Sequence, residues 1–154
     1  MSFDTEWVTL QGAKVRVMHG GEREPLLYLH GASGAGKWLP FFENLAKDFH
    51  VYVPEHPGFG LSDDPEWLEE MLDLALFYKD FINHYGWDKV HLVGHSMGGW
   101  LGAEIAVFFT ERVKSLTLID AAGIHVDGVE IGDNFLWHPD EAARKLIFNP
   151  HMAE

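Results

Sequence analysis

Val90-His91-Leu92-Val93-Gly94-His95-Ser96-Met97-Gly98-Gly99 joins a short apolar run to a helix-forming stretch through the pattern G-x-S-x-G. Small residues two before and two after a serine suit a sharp strand-to-helix turn, which crowds its flanks while lifting the hydroxyl into the open. The segment therefore reads as a nucleophile elbow, with Ser96 at its tip and Gly94 and Gly98 as its close-packed supports. A serine nucleophile also needs a base and an orienting acid, and 58 residues follow Ser96.

Outward from the elbow, short apolar runs alternate with helical stripes. Trp7–Leu10 and Val15–Met18, separated by Gln11-Gly12, suggest an opening hairpin. Pro25–His30 is a continuous apolar run ending at Gly31, as in a strand covered on both faces. Trp38–Phe49 carries Leu39, Phe42, Leu45 and Ala46 at helical spacing after the glycine-rich loop Gly31–Gly36. His50–Val53 reads as a strand closed by Pro54 and Pro57. Glu66–Tyr85 reads as one long amphipathic helix stopped by Gly86. After the elbow, a helix from Met97 to about Arg112 precedes Ser115–Asp120, which reads as another buried strand. Near Asp140 a short helix begins.

This alternation implies an α/β class with a doubly wound, mostly parallel sheet of about six strands. Ligands of such sheets sit outside the carboxyl ends of the strands. The Gly31 loop, the His56-Pro57-Gly58 loop, the Ser96 elbow and the Asp120 turn are expected to share that rim.

With 154 residues, 47% of them hydrophobic, one packed domain is expected. Eleven Lys and Arg against 24 Asp and Glu give a net charge of −13, which disfavours nucleic acid and anionic lipid as partners. There is no cysteine, excluding disulfides and thiol nucleophiles and fitting a cytoplasmic protein. Neither a signal peptide nor a membrane span is expected.

Leu29-His30-Gly31-Ala32, His56-Pro57-Gly58-Phe59-Gly60-Leu61-Ser62 and Gly94-His95-Ser96-Met97-Gly98-Gly99, in that order, resemble the α/β-hydrolase superfamily. The resemblance covers roughly residues 5–125 and is nearest to the capped esterases and the carbon–carbon bond hydrolases. It implies an oxyanion hole built from the backbone N–H groups of Ala32 and Met97. Serine at the elbow, where epoxide hydrolases and haloalkane dehalogenases of similar layout carry aspartate, implies acyl chemistry, and the cap-like residues Phe135, Leu136, Trp137, Ile147 and Phe148 suggest a small, mostly apolar substrate. Ester, thioester, lactone and C–C cleavage all remain open. No cofactor or metal is expected, since the His91/His95 spacing falls on a strand entering a turn.

In the superfamily order an Asp or Glu and then a His follow the serine. Asp120 is a candidate acid, or else a loop cap; His125, His138 and His151 are the histidines beyond it. His95 is expected to pack beneath the elbow, His30 to bond to neighbouring loops, and His56 to serve a turn. Residues 1–123 read as the N-terminal part of a hydrolase core. Residues 124–154, with Phe135, Leu136, Trp137, Ile147 and Phe148, read as the start of a cap. The expected reading is a chain lacking the last core strands, acid and base, with an exposed sheet edge open to self-association. A non-catalytic small-molecule-binding module, or a minimal hydrolase using Asp120 with a nearby histidine, are the alternatives.

Overall fold

A two-residue turn opens the fold: Gln11 at φ 51° and Gly12 at φ 80° give the handedness that a tight hairpin requires. It joins β1 (Asp4–Leu10) to β2 (Ala13–Gly20) with Leu10 opposite Ala13. The structure is a computed structural model that describes residues 3–128, 132 and 137–146. Its remaining strands are β3 (Pro25–Leu29), β4 (His50–Pro54), β5 (Val90–His95) and β6 (Val113–Ile119). The helices are α1 (Pro40–Leu45), α2 (Met71–His84), α3 (Met97–Phe108) and α4 (Pro139–Leu146).

The strands form one sheet in the order β1-β2-β4-β3-β5-β6, with β4, β3, β5 and β6 mutually parallel. From β3 the chain moves to β4 on one side and then crosses to β5 on the other. That reversal opens a crevice at the carboxyl ends of β3 and β5, where open α/β sheets bind ligands. Alternation along each strand builds two cores. Leu27, Leu29, Val90 and Leu92 join Phe77, Phe81, Leu101 and Ile105 of α2 and α3. Leu26, Val51, Val53 and Val93 join Phe42 of α1 on the other face.

Several boundaries differ from the sequence expectation. α1 starts at Pro40 rather than Trp38, because proline at the first helical position has no N–H to lose. α2 starts at Met71 rather than Glu66. A turn closes from Pro65 to Leu68, and the Asp73 carboxylate accepts the Glu69 and Glu70 amides at 3.0 and 2.9 Å, fixing the helix entry there. α3 ends at Phe108, and a 3-10 turn spans Thr110–Arg112. β6, whose apolar run reads as a buried strand, is the outermost strand on its side among the described residues, and most of its residues are exposed.

The chain forms two compact units, Met1–Ile124 and His125–Glu154. In the second unit α4 begins at Pro139, the Lys145 ammonium lies 4.4 Å from the Trp137 ring centre, and Lys145 pairs with Glu141. Phe135, Leu136, Ile147, Phe148 and His151 lie outside the described residues.

Candidate active site

β5 delivers the chain to Ser96 at φ 53° and ψ −118°, and α3 begins at the next residue. A non-glycine residue held there carries about 1–3 kcal/mol of backbone strain. Neighbouring backbone over-determines it. The Ser96 N–H donates to the Ile119 carbonyl at 2.9 Å, and the Ser96 carbonyl accepts the Gly99, Trp100 and Ala122 amides at 2.9, 3.2 and 2.9 Å.

The glycines around Ser96 are sites of close approach. A Cβ on Gly94 would stand 2.3 Å from the Gly98 carbonyl oxygen, and one on Gly98 would stand 2.0 Å from that of Leu29. The start of α3 thus rests on the backbone at the end of β3. A Cβ on Gly31 would lie 3.0 Å from the Ser96 Cβ, so the loop after β3 runs directly beside the elbow. Gly31 and Gly34 close a turn there at 3.0 Å, and Ala32 is its second residue, whose N–H takes no part in the turn's own bond. Met97 is the first residue of α3, where helix N–H groups have no intrahelical partner and the dipole favours negative charge.

Along the Gly31–Gly36 loop lies a cavity of about 390 Å³ lined by Tyr28, His30, Ser33, Phe42 and His95 among others. His95 therefore flanks the cavity instead of packing beneath the elbow. Strand alternation is the reason: His91, Val93 and His95 share the α1 face of β5, whereas Leu92 turns toward α2 and α3. His91 bonds to Ser115 and Glu24 instead of approaching His95.

Asp120 follows β6 at φ 44°, two residues before the Ala122 amide that caps the Ser96 carbonyl. In the second unit, His125 pairs with Asp127 at 3.4 Å and His138 with Asp140 at 3.5 Å, all four side chains being exposed. Among the described residues, no imidazole is hydrogen-bonded to the Ser96 hydroxyl.

The loop after β4 is lashed to β2. Glu55, almost wholly buried, accepts Arg16 Nε at 2.8 Å and the Leu61 amide at 3.0 Å. A Cβ on Gly60 would fall on the Glu55 carboxylate. His56 opens a turn, its carbonyl accepting the Phe59 amide at 3.0 Å, and its side chain is fully buried. Its ring stacks on His30 at 3.7 Å, and its Nδ1 faces the Tyr78 hydroxyl of α2. Burial lowers the pKa of His30; burial and the neighbouring His30 hold that of His56 well below the usual imidazole range. Burial raises the Tyr78 phenol. Sequence reading missed this trio because its members lie on three separate elements. Only the place of Tyr78 on the apolar stripe of α2 hinted at its burial.

The pattern of the alpha/beta hydrolase fold matches residues 24–147. The chain belongs to that family. It is similar to 2-hydroxy-6-oxo-6-(2'-aminophenyl)hexa-2,4-dienoic acid hydrolase of Metapseudomonas resinovorans, with 32% identity over 79% of this chain and 43% of the relative. It is equally similar, at 32% identity, to a dihydrolipoyllysine-residue acetyltransferase component of an acetoin cleaving system from Cupriavidus necator, over 77% of this chain and 32% of the relative. Among solved structures, a bacterial membrane phospholipase A superposes with a TM-score of 0.72 and 33% identity, over 80% of this chain and 41% of that one. This hydrolase-fold chain thus spans about a third to under a half of the length of these relatives. Among the described residues, no helix is long and apolar enough to cross a membrane.

Proposed function

We propose that this chain carries the nucleophile and oxyanion hole of a serine hydrolase acting on an ester or related acyl bond, C–C included, of a small, mostly apolar substrate. The observation that carries the reading is Ser96, held at φ 53° between β5 and α3 with the Gly31 loop against its side chain. In this reading Ser96 Oγ attacks the substrate carbonyl carbon, and its proton passes to a histidine base. The oxyanion is received by the Met97 and Ala32 N–H groups, a preorganised arrangement worth a factor of about 10² to 10³ per donor. Collapse of the adduct expels the leaving group, and water then hydrolyses the acyl-serine.

The base and its acid are assigned to a part of the protein beyond residues 3–128, with Asp120 retained as an alternative acid. Residues 124–154 are assigned to the start of a cap. The apolar lining from Tyr28 and Phe42 supports an apolar acyl group, and the dienoic acid hydrolase and phospholipase relatives support carbonyl substrates. The cysteine-free sequence favours the cytoplasm, which cell fractionation tests.

A fluorophosphonate probe tests the chemistry. Labelling of the protein that vanishes in Ser96→Ala is the expected result; equal labelling of both, or of neither, refutes it. The lack of an imidazole on the Ser96 hydroxyl among the described residues favours one second reading, a binding module without turnover. It predicts ligand-dependent thermal stabilisation that survives Ser96→Ala and no hydrolysis of any ester tried.

A further inference from the structure

Two buried histidines and one buried tyrosine stand behind the Gly31 loop, and with the rings neutral, as burial favours, their hydrogen bonds admit one set of proton positions. His30 Nδ1 lies 2.7 Å from the Gly31 carbonyl oxygen, which only accepts, so Nδ1 carries the proton. His30 Nε2 is then an acceptor, and it takes the His56 backbone N–H at 2.9 Å. His56 Nε2 lies 3.0 Å from the His30 carbonyl oxygen and so carries its ring's proton. His56 Nδ1 is left to accept the Tyr78 hydroxyl. Each ring nitrogen has a partner, and all three groups are neutral.

The network grips the peptide that leads into the Gly31 turn. The His30 carbonyl receives the His56 ring on one side, while α3 approaches the same backbone so closely that a Cβ on Gly98 would lie 2.6 Å from the His30 oxygen. The next residue, Gly31, sets the spacing between loop and Ser96.

We propose that Tyr78 and His56 are positioning residues that fix the His30–Gly31 peptide, and through it the Ala32 amide, beside Ser96. The inference rests on the serine-hydrolase reading above. It adds a specific dependence: a hydroxyl on α2, remote from the substrate, sets how well the oxyanion is captured. Adding a proton to His30 Nε2 would set it against the His56 N–H, so acid dismantles the grip. The other groups facing the pair are Glu55, paired with Arg16, the edge of the Phe59 ring, and His95, which lines the same cavity as His30.

The test combines probe kinetics with histidine ¹⁵N spectroscopy. In Tyr78→Phe the maximal rate of fluorophosphonate labelling should fall about 10-fold to 100-fold, as for a misplaced catalytic group. The probe concentration at half-maximal rate should stay unchanged. Ile82→Val, also buried on α2 but outside the network, should leave the maximal rate unchanged. A rate retained in Tyr78→Phe, or lost equally in Ile82→Val, overturns the proposal while leaving the hydrolase reading intact. Independently of labelling, ¹⁵N shifts of the unsubstituted protein should show His30 protonated at Nδ1 and His56 at Nε2. The opposite tautomer at either ring overturns the network even if Tyr78→Phe does not fold or the protein does not label.

Discussion

β3 and β6 flank the elbow strand on opposite sides, both parallel to it, yet they play different parts. Leu26, Leu27 and Leu29 of β3 are almost wholly buried, sandwiched between α1 on one face and α2 and α3 on the other. β6 pairs with β5 along its whole length, from Val113 to Ile119, but no residue in it is buried. Hydrogen-bonded pairing alone therefore does not make a core strand; coverage of both faces does. On the β3 side the elbow rests on a buried strand, with Gly98 against the Leu29 backbone; on the β6 side it is held by backbone bonds to Ile119 and Ala122 and by the partly buried Leu116 and Ile119.

The severest way to break this contrast is Gly98→Ala. The new methyl would stand 2.0 Å from the Leu29 carbonyl oxygen, and neither backbone can yield without dragging a buried strand or helix with it. Overpacking normally costs about 1–3 kcal/mol and occasionally more; with backbone on both sides, the upper end or beyond is expected in urea unfolding. An unchanged midpoint would mean that α3 does not rest on β3. Less severe is Leu27→Ala in the middle of β3, expected to cost about 2–5 kcal/mol. Thr117→Ala in the middle of β6 should stay within about 0.5 kcal/mol. Similar losses from the two would erase the distinction between the strands.

The elbow and β3 were readable from sequence because each is local: a glycine pattern around Ser96, an unbroken apolar run from Pro25 to Leu29. The apolar alternation of Leu116 and Leu118 was equally readable, but it cannot say which neighbours cover a strand: the pattern reads as buried, while only the expected exposed sheet edge matches where β6 stands. The start of α2 was missed because apolar spacing continues back to Leu68, while the deciding contact is the Asp73 carboxylate on the Glu69 and Glu70 amides. Ser96, Met97 and the Gly31 loop were brought together as expected. The direction of His95 and the His30–His56–Tyr78 network were not legible. The network depends on side chains meeting across elements separated by 20 residues or more in sequence, and the direction of His95 depends on which helix covers each face of β5.

Acid sharpens the same contrast, since the buried imidazoles of His30 and His56 stand at the carboxyl ends of β3 and β4, whereas the Lys114 side chain of β6 is solvated. Burial lowers both imidazole pKa values in the folded state, so below the ordinary value of about 6.5 the unfolded chain binds more protons than the folded one. Their contribution is fully present above pH 6.5 and is lost as pH falls from there toward the folded-state values. Each group adds a slope of at most about 1.4 kcal/mol per pH unit. Urea midpoints between pH 7.5 and 4.5 should fall accordingly, with a shallower fall in His56→Gln. The same slope in the variant and the parent would remove His56 from the account.

The gentlest test concerns the outer side of β6. Leu118 is 40% exposed and sits on a strand with no partner on its outer side among the described residues. Such an edge invites pairing with another chain, and a lysine on an edge strand opposes it. Leu118→Lys removes little buried apolar area, so the urea midpoint of the monomer should move by no more than about 0.5 kcal/mol. Light scattering at rising protein concentration should nevertheless fall relative to the parent. The two readouts separate the strand's roles: a large loss of stability would show that β6 is a core strand after all. Unchanged scattering from a parent that does associate would place the contact elsewhere, leaving β6 as an edge that other features of the protein keep quiet.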